Sequence, residues 1–228
     1  MASLAALPLF EGVDETVLAR LESSCAWRTY EEGELVIDYE DETDDVRFIA
    51  SGWVRIIVRL ATGREMILAE MKEGDYFGEL AAIDGSTRSA NVTSISRSQM
   101  CIMPRAVFMA ALEDHKINRR VLTMFASRIR QLNGRLAEHS FLQTKHRLYC
   151  ELLRLSRPRL GHEGQRCITP PPTQKELAAR IGTRREVVSR EIANMKRGEI
   201  LEKTTGALVL RDVNKLNQMI SEGWNELN

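Results

Sequence analysis

The sequence predicts an α+β protein, with short strands gathered in its N-terminal half and helices in the rest. Three observations carry that reading. Residues 27–105 break into short apolar runs separated by glycines and acidic turns, the texture of β-structure. From residue 106 onward apolar side chains recur at helical spacing. Charge divides along the same line: residues 1–115 carry 10 Lys+Arg against 21 Asp+Glu, and residues 116–228 carry 22 against 11. A chain split in this way has two parts with different partners, and the basic half is the one that would approach a polyanion. At 228 residues it suits one large domain or two modest ones. No run of eighteen apolar residues exists, and the N-terminus lacks a basic stretch and is broken by Pro8 and Glu11. A membrane span and a signal peptide are therefore not expected, and the expected location is cytoplasmic.

Each element follows in order. Residues 8–24 read as a short helical lead-in. Strand-like runs occupy 35–38, 46–50 and 53–60, and a turn at Thr62–Gly63 leads into another strand. The segment "ANVTSISRSQMCIMP" alternates and stops at Pro104. Strands this short and evenly spaced suggest a sandwich or a barrel-like roll. The acidic run "DYEDETDD" reads as a solvated loop. In the helical half, Leu122, Phe125, Ile129, Leu132, Leu136 and His139 follow a 3-4-3-4-3 spacing, the seam of a coiled coil, flanked by Arg120, Arg128, Arg130, Arg135 and Glu138. A narrow seam on so long a helix points to a partner helix in a parallel homodimer; packing within its own chain is the alternative. The stretch "SRPRLGHEGQRCITPPP" breaks the pattern. Two helical blocks come next, then a hairpin turning at Thr205–Gly206, and a last amphipathic helix over 213–227.

Catalytic chemistry finds little support. Cys25, Cys101, Cys150 and Cys167 are scattered without CxxC spacing, so they read as buried or incidental thiols and no metal is expected. His115, His139, His146 and His162 have no acid or nucleophile at local spacing and are expected on helix surfaces or in the seam. No phosphate-binding P-loop occurs, and the chain is not read as an enzyme.

The segment "YFGELAAIDGSTRSANV", residues 76–92, has a different character. A short helix can start at Gly78, leaving backbone N–H groups that favour an anion. Gly85 permits a sharp return, and Arg88 then offers a fork that matches phosphate. Ser89 adds a hydroxyl and Ala90 keeps the wall low. Glu79 accepts only, so it suits a pair of hydroxyls such as a ribose edge and not the phosphate itself. A sugar bearing a compact, singly charged phosphate satisfies all of these. Further on, "PTQKELAARIGTRREVVSREIANMKRGEIL" has the pattern of a helix–turn–helix. Thr173 and Glu176 form a capping box, Ala178 allows close crossing and Gly182 makes the turn. Leu177, Ile181, Val187, Ile192 and Met195 are the expected buried stripe. Arg184, Arg185, Glu186, Ser189 and Arg190 then face outward. Arg185 and Arg190 can each fork to a guanine edge and Glu186 can accept from cytosine. Gln174 and Lys175, beside Thr173, suit phosphate contacts.

The run F-G-E-L-A-x-x-x-G-x-x-R-S-A, at Phe77, Gly78, Glu79, Leu80, Ala81, Gly85, Arg88, Ser89 and Ala90, resembles the phosphate-binding cassette of cyclic-nucleotide-binding domains. The pattern R-E-x-x-x-R at Arg185–Arg190 resembles a recognition helix of the same group. Nearly the whole chain is similar to the bacterial catabolite-activator/fumarate–nitrate regulator superfamily. The resemblance implies a cyclic-nucleotide-binding β-roll over 1–115, a dimerisation helix over 116–144 and a winged helix–turn–helix over 145–228, with the wing near Lys203, Thr204 and Gly206. It implies that Glu79 binds the ribose 2′-hydroxyl and that Arg88 binds the cyclic phosphate, helped by Ser89 and the Gly78–Leu80 backbone. The purine would meet Leu132 and Asn133, where familiar cyclic AMP receptors carry Thr-Ser; an Asn amide can read either adenine or guanine. Cyclic AMP or cyclic GMP is thus the implied allosteric ligand. Double-stranded DNA with palindromic TGTGA-like half-sites, a second copy of the chain and RNA polymerase are the implied partners. Regulators that bind no nucleotide share this scaffold, either constitutive or sensing redox state, haem or gas. Against a sensor of that kind, Cys25 stands alone and no histidine precedes His115.

Overall fold

The structure, a computed structural model, describes residues 3–59, 63 and 65–225. Two compact units divide between Ile129 and Arg130, inside the long helix. The first opens with two 3-10 turns, Leu4–Ala6 and Pro8–Phe10, and helix α1 (Glu15–Glu22), capped by Asp14. Pro8–Phe10 and α1 fall within the expected helical lead-in over 8–24, and Leu4–Ala6 precedes it. Strands β1 (Ala26–Tyr30), β2 (Leu35–Ile37), β3 (Val46–Ser51), β4 (Trp53–Arg59), β5 (Glu65–Lys72) and β6 (Tyr76–Phe77) follow. Then come α2 (Glu79–Asp84), β7 (Asn91–Ser94), β8 (Ser98–Met103), α3 (Arg105–Ala111) and α4 (His115–Phe141). Leu60 of the expected strand 53–60 and Thr62 of the expected turn lie outside the described residues; Gly63 has a positive φ.

The strands pair antiparallel in two four-stranded sheets, ordered β1-β8-β3-β6 and β2-β7-β4-β5. Period-two alternation gives each strand two faces. Tyr30, Ile49, Phe77 and Met100 of the first sheet meet Val36, Val54, Met71 and Val92 of the second, which makes the interior of the roll. On the opposite face of the first sheet, Val46, Phe48, Cys101 and Met103 join Leu4, Phe10, Leu18, Phe108, Ile117 and Val121 in a second cluster. The alternating segment 90–104 is two strands, not one, because Ser94, Ser96 and Ser98 turn the backbone between them: Ser94 Oγ and Ser98 Oγ lie 2.9 Å apart and both donate to the Ser96 carbonyl at 2.8 Å.

The second unit contains the end of α4, α5 (Thr144–Leu155), β9 (Arg157–Pro158), β10 (Arg166–Ile168), α6 (Gln174–Ile181), α7 (Arg185–Arg197), β11 (Leu201–Lys203), β12 (Leu208–Leu210) and α8 (Val213–Asn225). Its core joins Leu148, Leu152, Leu177, Ile181, Val188, Ile192, Met195, Leu210 and Leu216. The Pro/Gly-rich break is a structured hairpin, β9 on β10, and β10 pairs with β12 to give the sheet order β11-β12-β10-β9. His146, expected on a helix surface or in the seam, is buried: its ring packs edge-on against Tyr149, 5.8 Å away, where Gly223 of α8 leaves room for it. Residues 226–228 lie outside the description, so the last helix is seen to Asn225. Among the described residues no helix is long and apolar enough to cross a membrane.

Candidate functional site

Gly78 and Gly85 bracket α2, and both take left-handed backbone, with φ of 89° and 73°. At Gly78 a glycine is required. A Cβ there would lie 2.6 Å from Arg88 Nη1 and 2.7 Å from the Asp45 carbonyl oxygen. Glu79, the first residue of α2, is 2% exposed. Burial holds its carboxyl above the usual range, and the Arg128 guanidinium of α4, paired with it, opposes that shift. Arg128 also donates to the Tyr76 carbonyl at 3.2 Å.

Arg88 is 3% exposed, so its ion pair is not a surface salt bridge. Its Nε donates to Thr43 Oγ1 at 3.0 Å, Nη1 to the Gly78 carbonyl at 3.1 Å and Nη2 to the Asp45 carbonyl at 2.8 Å. Nη2 also lies 3.2 Å from Asp45 Oδ1, and the other Asp45 oxygen takes Arg47 Nε at 2.7 Å. Burial lowers the guanidinium's pKa and Asp45 is the first group to oppose it. The Arg88 amide donates to Asp41 and its carbonyl accepts from Glu40, so the loop is laced to it along the backbone. The acidic run is therefore not merely a solvated loop. Its outer residues face water, but Thr43 and Asp45 hold the arginine. Ala81 and Ala90 are buried beside the charges, while Leu80 and Ser89 are exposed.

In the second unit the capping box forms as expected. Thr173 N donates to Glu176 Oε2 at 2.7 Å and Glu176 N to Thr173 Oγ1 at 3.2 Å. Gly182 closes α6 in left-handed backbone, at φ 67°. One position of the expected stripe is wrong. Val187 is 42% exposed and Val188 is 1% exposed, because α7 begins at Arg185 and buries 188, 192 and 195 at i, i+4, i+7. The outer face presents Arg184, Arg185, Glu186 and Arg190, with Ser189 half-buried beside them. None of the three arginines has an ion-pair partner among the described residues. Lys175 and Lys203 are exposed and Gln174 is half-buried.

Along α4, Leu122, Ile129, Leu132 and Leu136 are 57–66% exposed, an open apolar line on one helix. Phe125 departs from the expected seam by packing against the cluster under the roll. Asn133 is exposed, as is Leu132, four residues beyond Arg128. Three residues that complete the site were missed as such. The sequence places Arg128 on a seam flank and Thr43 and Asp45 in the acidic run, each more than forty positions from the charge it holds. Cys25 is not alone either: it packs against the cluster that contains Cys101, and its thiol donates to the Leu21 carbonyl at 3.2 Å.

The family of cyclic nucleotide-binding domains matches residues 27–115, and the family of Crp-like helix-turn-helix domains matches residues 146–219. A CRP-like cAMP-activated global transcriptional regulator of Mycobacterium tuberculosis is 30% identical over 194 residues, 84% of this chain and 86% of that one. The cyclic AMP receptor protein of Thermus thermophilus is 26% identical, over 93% of this chain and 96% of its own. A mutant of CooA from Carboxydothermus hydrogenoformans shares the fold, with a TM-score of 0.79 at 18% identity over 96% and 98% of the two chains. A roll of this family, a long helix and this helix–turn–helix on one chain define a DNA-binding transcription regulator. The chain belongs to the catabolite-activator/fumarate–nitrate regulator (CRP/FNR) superfamily.

Proposed function

We propose that the chain is a homodimeric regulator whose hold on DNA is set by cyclic AMP or cyclic GMP bound at residues 77–90. The observation that carries the reading is that Glu79 and Arg88, an acceptor for hydroxyls and a fork for an anion, are both buried and fixed at the two ends of one glycine-bracketed turn. Residues 1–115 act as the sensor, 116–144 as the dimerisation helix and 145–228 as the DNA-binding part. Glu79 accepts from the ribose 2′-hydroxyl. Arg88 pairs with the cyclic phosphate alongside Ser89 and the Gly78, Leu80 and Ala81 backbone, with Ala90 in the wall. Leu132 and Asn133 meet the purine, and the Asn amide suits either base.

The exposed line Leu122, Ile129, Leu132 and Leu136 gains cover from a second copy, with Phe125 at its margin. Two α7 helices in a two-fold dimer then read palindromic, TGTGA-like half-sites about 34 Å apart, one DNA turn. Arg184, Arg185, Glu186, Ser189 and Arg190 face the bases and backbone, while Thr173, Gln174, Lys175 and Lys203 meet phosphates. The protein works in the cytoplasm, where RNA polymerase is its further partner, and it carries out no catalysis.

Calorimetric titration of nucleotide-stripped protein with each cyclic nucleotide tests the reading. Saturable binding of one per chain is the expected result, and the tighter of the two identifies the base. A second reading is favoured by one observation: both charges already have protein partners, Arg128 and Asp45. In that reading the regulator binds no nucleotide, and is constitutive or answers a redox, haem or gas signal. No binding of either nucleotide at millimolar concentration selects it.

A further inference from the structure

We infer that Asp45 is a built-in competitor for the anion seat on Arg88 and so sets the concentration at which the phosphate of a cyclic nucleotide is taken. The inference rests on the assignment of Arg88 to that phosphate.

Four contacts hold the guanidinium, and they differ in kind. Thr43 Oγ1, the Gly78 carbonyl and the Asp45 carbonyl are neutral acceptors, at 3.0, 3.1 and 2.8 Å. They fix the plane of the fork whatever else it binds. Among the described residues the Asp45 carboxylate is the one anion paired with it. It does so through a single oxygen at 3.2 Å, longer than the 2.7–2.9 Å usual for a charge-assisted bond. A monoanionic phosphodiester that took N–H groups of this fork would meet the carboxylate as a like charge, in a place where water screens poorly.

The carboxylate has somewhere to go. Its other oxygen is 2.7 Å from Arg47 Nε. Arg47 is 8% exposed and is itself fixed, donating to Tyr30 Oη at 3.3 Å and to the Val36 carbonyl. Asp45 can therefore release Arg88 and stay paired, which avoids the cost of a stranded buried charge. A carboxylate shared between two arginines, one of them the phosphate ligand, is a threshold device: it neutralises the seat and yields to a stronger anion.

The test is calorimetric titration with cyclic AMP and cyclic GMP of the full-length wild type and of Asp45→Asn, with Asp45→Ser as a second variant and thermal melts to confirm folding. Removing the competing charge should tighten binding on the order of tenfold, the scale of relieving a like-charge contact. Asp41→Asn and Asp44→Asn remove the same charge from the same loop without an ion pair to Arg88, and should change affinity less than about twofold. Equal or weaker binding by folded Asp45→Asn, while the wild type still binds, overturns the inference and makes Asp45 a positioning residue; the nucleotide reading survives. Equal tightening by all three substitutions also overturns it, in favour of the general field of the acidic loop. If neither the wild type nor any variant binds either nucleotide, the nucleotide reading falls and takes this inference with it.

Discussion

Glu79 and Arg88 lie nine residues apart, yet each is completed from far along the chain. Arg128 is 49 positions from Glu79, and Asp45 and Thr43 are 43 and 45 positions from Arg88. The glycines, the acid and the base were legible in the sequence because they are local. Their partners were not, since Arg128 shows only helical spacing and Asp45 sits in a run of like charges. The buried carboxyl at Glu79 gives a prediction whose sign is fixed. Its pKa is raised in the folded state, so this group contributes stability below the ordinary carboxylate range, about 4.3 for Glu. That contribution is lost as pH rises through the raised value. Glu79→Gln, which mimics the protonated form, removes the slope. The melting temperature of the wild type minus that of Glu79→Gln should fall as pH increases from 4 to 7. A difference that is flat or that grows with pH contradicts the burial argument.

Elements are legible where period and punctuation agree. The capping box, the turn glycine and the two helices of the DNA-binding part are where their residues place them, whereas the buried stripe slipped by one residue at 187 and 188. Two adjacent valines look alike in sequence, and the starting residue of α7 decides which one faces the core. Val188→Ala should therefore cost about 2 kcal/mol in urea denaturation, on the scale of buried truncations. Val187→Ala should stay within about 0.5 kcal/mol. Reversed costs would restore the expected stripe and rotate the outward face of α7. Helix α5 is not legible in the sequence, because its junction with α4, near Gln143, has neither glycine nor proline and no side-chain cap. The β9–β10 hairpin was hidden for the opposite reason: its prolines and glycines, residues that mark loops, here flank strands of two and three residues completed by β12 from forty positions away. At the same level, Arg185→Ala should relax the guanine preference of the half-site by about 1–3 kcal/mol. Selection from randomised duplexes checks this, and an unchanged profile would remove Arg185 from the base-reading face.

On the scale of the whole molecule, the charge division found in composition reappears as function. The acidic half is the roll with its buried Glu79 and Arg88, and the basic half presents, on and beside one helix, Arg184, Arg185 and Arg190, which have no ion-pair partner among the described residues. Neutral net charge conceals both. One continuous helix, α4, carries Arg128 of the first unit and the exposed leucines that run into the second. On the proposed reading, a ligand that alters the Glu79–Arg128 pair would bias the proposed dimer seam, provided it binds the DNA-competent arrangement better than the alternative. Reciprocity then requires that nucleotide and DNA strengthen each other by the same factor, typically about 5–150-fold. The direct test is fluorescence anisotropy with a labelled palindromic TGTGA-type duplex, with and without saturating cyclic AMP or cyclic GMP. Wild type and Arg88→Lys, which keeps the charge but loses the fork, are compared at one fixed salt concentration. The account predicts that nucleotide tightens DNA binding by the wild type at least about fivefold and leaves Arg88→Lys nearly unchanged. Equal affinity for DNA with and without either nucleotide, in a wild type that binds the duplex specifically, would contradict it.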